Sequence, residues 1–227
     1  MSAQRIALAL LAALGLGSFQ AASAQGTDGG LRLRPLLGIG YSWGGDTITP
    51  VTVSNTADKK VLYETDIDAG EGLDLRVGVD ISRAGSPLSL QLALAYHVDG
   101  FIGATDAAGE FRRIPAEAVL RWQASERVHV GFGVRKALYA AVRANDASCP
   151  VNTCGGGGRI RYRSSVGLVL ETEYALSPDW GLRARYVRES YKVSKSDPDL
   201  SDTVADGWVG EKVRADHIGL MSVWYFR

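Results

Sequence analysis

Apolar and polar residues alternate with a period of two through most of the chain. In "GLDLRVGVDI" (residues 72–81), leucine, valine and isoleucine at odd positions alternate with Asp74, Arg76, Gly78 and Asp80. Successive side chains of a β-strand point to opposite faces. The pattern therefore predicts a strand with one apolar and one polar face.

The same alternation predicts eight strands. They lie in "LRLRPLLGIGYSW", "GLDLRVGVDI", "LSLQLALAYHV", "IPAEAVLRW", "VHVGFGVRKAL", "SSVGLVLETEY", "WGLRARYVRESYKV" and "VRADHIGLMSVWYF". Pro35 cannot donate a ladder hydrogen bond, so the first strand is expected to bulge there or to begin later. A ten-stranded count, with "TPVTVSN" and "VLYETDI" as an extra pair, is the alternative that the pattern favours less.

The connections between these segments fall into two classes. Three are short, at "SRAGSP", "QASER" and "ALSPD", and four are long and polar, at about residues 44–72, 99–110, 143–159 and 194–212. In an antiparallel arrangement all the short turns lie at the end that holds both termini. Short periplasmic turns and long extracellular loops are typical of bacterial outer-membrane barrels. We therefore predict an all-β fold, a transmembrane up-and-down antiparallel β-barrel, with a hairpin projecting from the first long connection.

The polar face predicts a charged lumen. Its acidic and basic residues are Asp74, Arg76, Asp80, Glu117, Arg121, Arg135, Glu171, Glu173, Arg183 and Arg185. These side chains can neutralise one another across a narrow lumen, because eight strands enclose only enough space for side chains. An open pore is therefore not expected.

Aromatic residues cluster at both ends of the apolar faces. Those near the short turns are Trp122, Tyr174, Trp180, Trp224 and Phe226, and those near the long connections are Tyr41, Trp43, Tyr96 and Tyr186. Two opposed belts are typical of the two membrane interfaces. A soluble lipocalin-like barrel, with the apolar face turned inward around a ligand, is the alternative that the belts disfavour.

The N-terminal residues predict export from the cytoplasm. Arg5 precedes the apolar run "IALALLAALGLGSF", and Ala22, Ser23 and Ala24 form an A-x-A cleavage pattern. Residues 1–24 are therefore expected to be a signal peptide for Sec-type export, and residues 25–227 the barrel with four long extracellular loops. In an exported chain, Cys149 and Cys154 of "CPVNTC" are expected to form a disulfide.

Charge and composition disfavour several partners. The chain has 25 basic and 25 acidic residues, so nothing suggests nucleic acid. A metal site at the two cysteines would need further Cys or His nearby, and the flanking residues supply none. No metal and no cofactor are expected.

The alternating segments and the last strand resemble the small bacterial outer-membrane barrels of the OmpA, OmpX and OmpW type. In these barrels the last strand alternates hydrophobic residues up to a terminal Phe, and Ile218, Leu220, Trp224 and Phe226 match, while Ser222 interrupts the pattern. The resemblance implies location in the bacterial outer membrane, contact with its lipids and recognition by the barrel assembly machinery. It implies no activity.

Two groups of residues are candidates for chemistry. His97, Asp99, Asp216 and His217 can meet at the mouth with the long loops, but lumen histidines more often belong to polar networks than to a lipid A-modifying enzyme. Arg159, Arg161 and Arg163 follow the glycine-rich "CGGGG" and are candidates for contact with lipopolysaccharide phosphates.

The hypothesis is a non-enzymatic outer-membrane barrel that acts as a structural protein, or that binds an unknown extracellular partner through its loops. A narrow channel or lateral conduit for small molecules is the alternative.

Overall fold

The computed structural model describes residues 30–54, 61–100, 110–143, 159–196 and 212–227. Their regular elements are the β-strands β1 (Leu31–Gly44), β2 (Thr47–Ser54), β3 (Val61–Asp68), β4 (Gly72–Arg83), β5 (Leu88–Gly100), β6 (Glu110–Gln123), β7 (Val128–Arg143), β8 (Arg159–Ser164), β9 (Gly167–Ser177), β10 (Trp180–Arg188), β11 (Ser190–Ser196), β12 (Lys212–Arg214) and β13 (His217–Tyr225). These ranges hold no helix that is both long and apolar enough to cross a membrane. The predicted signal peptide (residues 1–24) and the expected disulfide between Cys149 and Cys154 lie outside the described residues.

Eight strands close into one antiparallel barrel, in the order β1, β4, β5, β6, β7, β9, β10, β13. β13 pairs with β1, and the pairing of β7 with β9 completes the ring. The predicted all-β fold with eight barrel strands is therefore confirmed. Closure pairs every barrel strand on both sides, so the barrel has no edge strand with unpaired backbone N–H and C=O groups. Such unpaired groups are costly in lipid.

The two ends of the barrel differ in their connections. At one end, called the turn end, short turns join β4 to β5, β6 to β7 and β9 to β10, and both β1 and β13 have their outer limits there. In the first turn Gly85 has a φ of 77°, a left-handed conformation that suits glycine. The other end, called the loop end, carries the long connections.

The first long connection contains a separate hairpin. β2 and β3 pair only with each other, as a two-stranded sheet. β1 pairs directly with β4 over Leu31 to Ser42, so no strand is inserted between them. The predicted hairpin is present, and the ten-stranded alternative is wrong.

Pro35 does not distort the first strand. β1 begins at Leu31 and pairs with β4 in unbroken register through Pro35, so the expected bulge or later start is wrong. The carbonyl of Pro35 accepts a hydrogen bond from the Phe226 amide at 2.8 Å. The Pro35 nitrogen also points towards β13, but β13 ends at Tyr225, opposite Leu36. The missing N–H therefore leaves the ladder intact.

Three strands break at one level near the loop end. These breaks separate β8 from β9, β10 from β11, and β12 from β13. Two backbone hydrogen bonds link them, from the Ser165 amide to the Ser190 carbonyl and from the Ala215 amide to the Glu189 carbonyl, and both are 2.9 Å long. Above this level β7, β8, β11 and β12 pair in that order. This small sheet, called the loop-end extension, continues the barrel wall beyond the breaks.

The barrel wall is apolar outside and polar inside. Outward leucine, isoleucine, valine and aromatic side chains are exposed on all eight strands, from 37% for Val130 to 68% for Leu138. An exposed apolar surface that surrounds a protein indicates a lipid environment. The soluble lipocalin-like alternative required the apolar face inside, so that alternative is wrong.

Inward glycines make room for the large polar side chains of the lumen. A Cβ on Gly131 would lie 2.7 Å from the Glu171 Cγ, and one on Gly181 would lie 3.0 Å from the Glu173 Cγ. Such distances are shorter than ordinary van der Waals contact, so a larger residue at either position would displace a carboxylate. The glycines allow a narrow barrel to hold bulky charged residues.

Candidate functional site

The inward positions of the strands bring twelve charged side chains into the lumen. The buried arginines are Arg76, Arg113, Arg121, Arg135, Arg183 and Arg185, and the buried carboxylates are Asp74, Asp80, Glu117, Glu171, Glu173 and Glu189. All ten residues of the predicted lumen network are among them. Six positive and six negative groups balance, so the interior carries no formal net charge from these side chains.

Near the turn end the network centres on Arg183 and Glu173. Arg183 donates to Glu173 through Nε at 2.9 Å and through Nη2 at 2.6 Å. The Tyr225 hydroxyl accepts from Arg121 at 2.6 Å and from Arg183 at 3.0 Å, and it donates to Glu173 at 2.9 Å. Arg183 also donates to the Gln91 amide oxygen at 2.9 Å. Five strands are joined by this cluster.

Midway along the lumen, Glu117 accepts from several arginines. Arg76 donates to it, Arg185 donates at 2.6 Å, and Arg135 lies 3.4 Å away. Arg185 also lies 3.3 Å from Glu171. A buried carboxylate requires this kind of charged partner, because the low dielectric of an interior penalises an isolated charge.

Towards the loop end, Arg113 joins the lumen to the base of the hairpin. Its Nη1 donates to Glu189 at 2.7 Å and to the Ala69 carbonyl, just beyond β3, also at 2.7 Å. Arg135 lies 3.3 Å from the same Glu189. Arg113 therefore fixes the chain that follows the hairpin against the barrel wall.

The candidate cluster at the loop-end mouth is brought together only in part. The rings of His97 and His217 lie 5.8 Å apart, and both residues are buried. Asp99 instead accepts from the Asp68 amide at 2.8 Å, and Asp216 accepts from the Glu189 amide at 3.0 Å. These contacts hold loop backbone in place. Within the described ranges no group of three or more His, Cys, Asp or Glu residues is arranged to hold a metal ion.

The twelve buried charged side chains of the lumen are called the charged layer. Above this layer an apolar cluster fills the loop-end mouth. The rings of Phe111 and Tyr162 meet edge to face at 5.7 Å, and those of Phe111 and Tyr191 at 5.6 Å. The residues packed with them are Ile67, Ala69, Ala137, Ala140, Val142, Val193 and Ala215. Burial raises the pKa of Tyr162 to about 12 and that of Tyr191 to about 12, so both hydroxyls are neutral at physiological pH. This cluster is called the mouth plug.

A small cavity lies in the barrel wall at the level of the charged side chains. A cavity of about 10 Å³ lies beside Gly219, and its polar lining includes Ser42, Asp74, Arg185 and His217. A volume of this size accommodates about one water molecule.

The aromatic residues predicted for the membrane interfaces lie on the outer face. Tyr41, Trp43, Trp122, Tyr174, Trp180, Tyr186 and Phe226 are exposed, and Tyr96 and Trp224 are half-buried. Trp180 is paired with Trp224 near the turn end, whereas Tyr186 and Trp43 both flank Ile218 near the loop end. The Trp180 indole donates to the Ser222 hydroxyl at 2.6 Å. Ser222 thus interrupts the apolar pattern of the last strand but partners an interfacial tryptophan.

The arginines proposed to contact lipopolysaccharide lie on β8. Arg161 and Arg163 are exposed, and Arg159 is half-buried. Inward neighbours Tyr162 and Ser164 are buried. The arginine side chains therefore occupy the outer face of the loop-end extension.

Sequence reasoning missed Arg113 and Glu189 in the lumen. Arg113 has the same parity as Glu117 on β6, and Glu189 has the same parity as Arg183 and Arg185 on β10. The predicted β6 segment began at Ile114, one residue too late. Continuing the alternation one inward position before Pro115 finds Arg113, and continuing it two inward positions past Arg185 finds Glu189, which already lies within the predicted segment.

Comparisons with known proteins match the chain to one sequence family and to several solved structures. Residues 9–226 match the sequence profile of the family described as "Outer membrane protein beta-barrel domain". Neisserial surface protein A is similar in structure, with 12% identity, coverage of 87% of this chain and 99% of that chain, and a TM-score of 0.46. Ail, the attachment invasion locus protein of Yersinia pestis, has 14% identity, 86% and 99% coverage and a TM-score of 0.45. A major outer membrane protein of Thermus thermophilus has 14% identity, 86% and 99% coverage and a TM-score of 0.44. No curated protein sequence matches the chain.

Proposed function

Because the chain belongs to the family of outer membrane protein β-barrel domains, we propose that it is a non-enzymatic outer-membrane protein with a filled, non-conducting lumen. In this proposal it acts as a structural protein, or as a surface-interaction protein through its long loops. The observation that supports it is the filled interior, in which twelve mutually neutralising charges lie below the apolar mouth plug. A protein without a pore can contact partners through the outer surface of its barrel and through the loops between its strands.

The proposal includes an orientation in the membrane. The turn end lies in the periplasm and the loop end outside the cell, as in other barrels with this loop asymmetry. Residues 1–24 direct Sec-type export, and the barrel assembly machinery recognises the closing strand. Its last residues support this role, because Trp224 and Phe226 face outward while Tyr225 turns into the lumen network.

A narrow channel is the function against which the proposal must be tested. In the described part of the barrel, buried charged side chains and the mouth plug occupy the lumen, and the cavity beside Gly219 accommodates about one water molecule. We expect purified, folded protein to give no steady ion conductance in planar lipid bilayers.

The control uses the lumen charges themselves. Glu171→Gln and Arg183→Gln each change the charge of the lumen without removing much volume. Steady openings of the natural protein, with a size or ion preference altered by either substitution, would overturn the proposal in favour of transport through the lumen. Openings that neither substitution alters would indicate a contaminant or a defect in the bilayer.

A further inference from the structure

The three strands of the loop-end extension that lie above the breaks have a one-sided composition. β8 contains three arginines, β11 two lysines, and β12 one lysine and one arginine, giving seven cations. None of these strands contains Asp or Glu. The whole chain is balanced, with 25 basic and 25 acidic residues. The excess positive charge of this small sheet is therefore a local feature.

The strand register places three of the cations side by side. Arg163 on β8 is directly opposite Lys192 on β11, and Lys192 is directly opposite Lys212 on β12. All three are exposed on the outer face. These residues are called the basic row. Directly opposed side chains have Cβ atoms about 5 Å apart, and like charges at that distance destabilise a sheet.

Carboxylates of the described residues do not relieve this repulsion. Neighbouring Arg214 pairs with Asp46 at 3.5 Å, but within the described part of the chain the basic row forms no ion pair. Packing does not account for the row either, since these side chains point away from the mouth plug. An anion bound across the row would remove the repulsion and gain charge-assisted hydrogen bonds.

The height of the row on the barrel suggests the source of the anion. On β10 the outward Tyr186 ends the apolar series, and the next outward residue, Arg188, is paired with Leu168 of β9. The basic row lies beyond Arg188, towards the loop end, and faces sideways from the wall. In the proposed orientation this is the level of the headgroups of the outer leaflet, next to the interfacial aromatics.

We propose that Arg163, Lys192 and Lys212, flanked by Arg188 and Arg161, bind the phosphate groups of lipopolysaccharide in the outer leaflet. The guanidinium groups of the arginines can contact phosphate oxygens bidentately, and the lysines supply compact positive charges beside them. The inference rests on the proposed orientation, with the loop end outside the cell.

The test compares two triple variants with equal loss of charge. Arg163→Gln/Lys192→Gln/Lys212→Gln removes the basic row. Arg32→Gln/Arg83→Gln/Arg127→Gln removes three exposed cations at the turn end. Folding of each variant is checked by the change of gel mobility on boiling. Binding to lipopolysaccharide is then measured in nanodiscs of zwitterionic lipid, with phosphatase-treated lipopolysaccharide and a soluble sulfated polysaccharide as comparison ligands.

We expect the row variant to bind lipopolysaccharide about 100-fold more weakly, because each basic residue near an anionic surface contributes roughly one factor of five. The turn-end variant is expected to bind as the natural protein does. Natural protein is expected to bind the phosphatase-treated lipid about 100-fold more weakly than it binds the intact lipid. This last comparison holds even if the row variant does not fold.

Three results would overturn the inference. They are equal binding of the intact and dephosphorylated lipids, equal loss in both triple variants, and binding of the soluble polysaccharide as tight as that of the lipid. The last would assign the row to an extracellular polyanion. Protease access to residues 143–159 on intact cells tests the orientation separately, so failure of the orientation and failure of the phosphate site can be distinguished.

Discussion

At the scale of single residues, the lumen is stabilised by six buried arginines, five of which contact more than one carboxylate. Arg183 has hydrogen bonds to Glu173, Gln91 and Tyr225 and lies 3.4 Å from Glu171. Desolvating so many charges is costly, and only their mutual pairing compensates for it. The loss of one partner therefore costs more than the pair contributes.

Arg183→Met is expected to lower the free energy of unfolding by about 3–5 kcal/mol, because it leaves Glu173 buried with fewer positive neighbours. Arg188→Met, on the outer face of the same strand, is the matched control and is expected to change it by less than about 0.5 kcal/mol. Urea unfolding in lipid vesicles, followed by tryptophan fluorescence, measures both. Equal effects of the two substitutions would contradict a stabilising lumen network.

At the scale of the strand, the sequence predicts most of the barrel because alternation reports directly on the two environments. It predicts which side chains of β4, β5 and β10 face lipid, and it locates the short turns. It fails where the hydrogen-bond ladder is irregular. On β9 odd-numbered residues face inward, but on β8 Tyr162 and Ser164 do, because the break at Ser165 reverses the parity. No local composition marks such a reversal.

The outward face of β9 allows a test of depth in the membrane. Leu170 lies near the middle of this face and Leu176 near the turn end, and both are exposed. Leu170→Arg is expected to destabilise the barrel by about 2–4 kcal/mol, and Leu176→Arg by about 0–1 kcal/mol, because the cost of a charge falls towards the interface. Unfolding in vesicles measures the difference. Equal costs at the two positions would mean that the apolar band does not face lipid.

At the scale of the whole molecule, the lumen is closed twice along its axis. The charged layer closes it from the turn end to about Arg113, and the mouth plug closes it above. Sequence patterns predict most of the charged layer, since its members on any one strand lie at alternate positions. They do not predict the mouth plug, whose residues come from the base of the hairpin, from β6, β7, β8 and β11, and from Ala215 between β12 and β13. Its assembly depends on how long connections return to the barrel, which no local pattern encodes.

Two closures in series predict a specific conductance result. Phe111→Ala/Tyr191→Ala empties part of the mouth plug, and Glu173→Ala/Arg183→Ala removes an opposite pair from the charged layer without leaving a net charge. Neither double variant is expected to conduct ions in planar bilayers, because the remaining layer still fills the lumen. The quadruple variant is expected to conduct. Conductance of the mouth-plug variant alone would mean that the charged layer admits ions, and a silent but folded quadruple variant would mean that other lumen side chains suffice to close it.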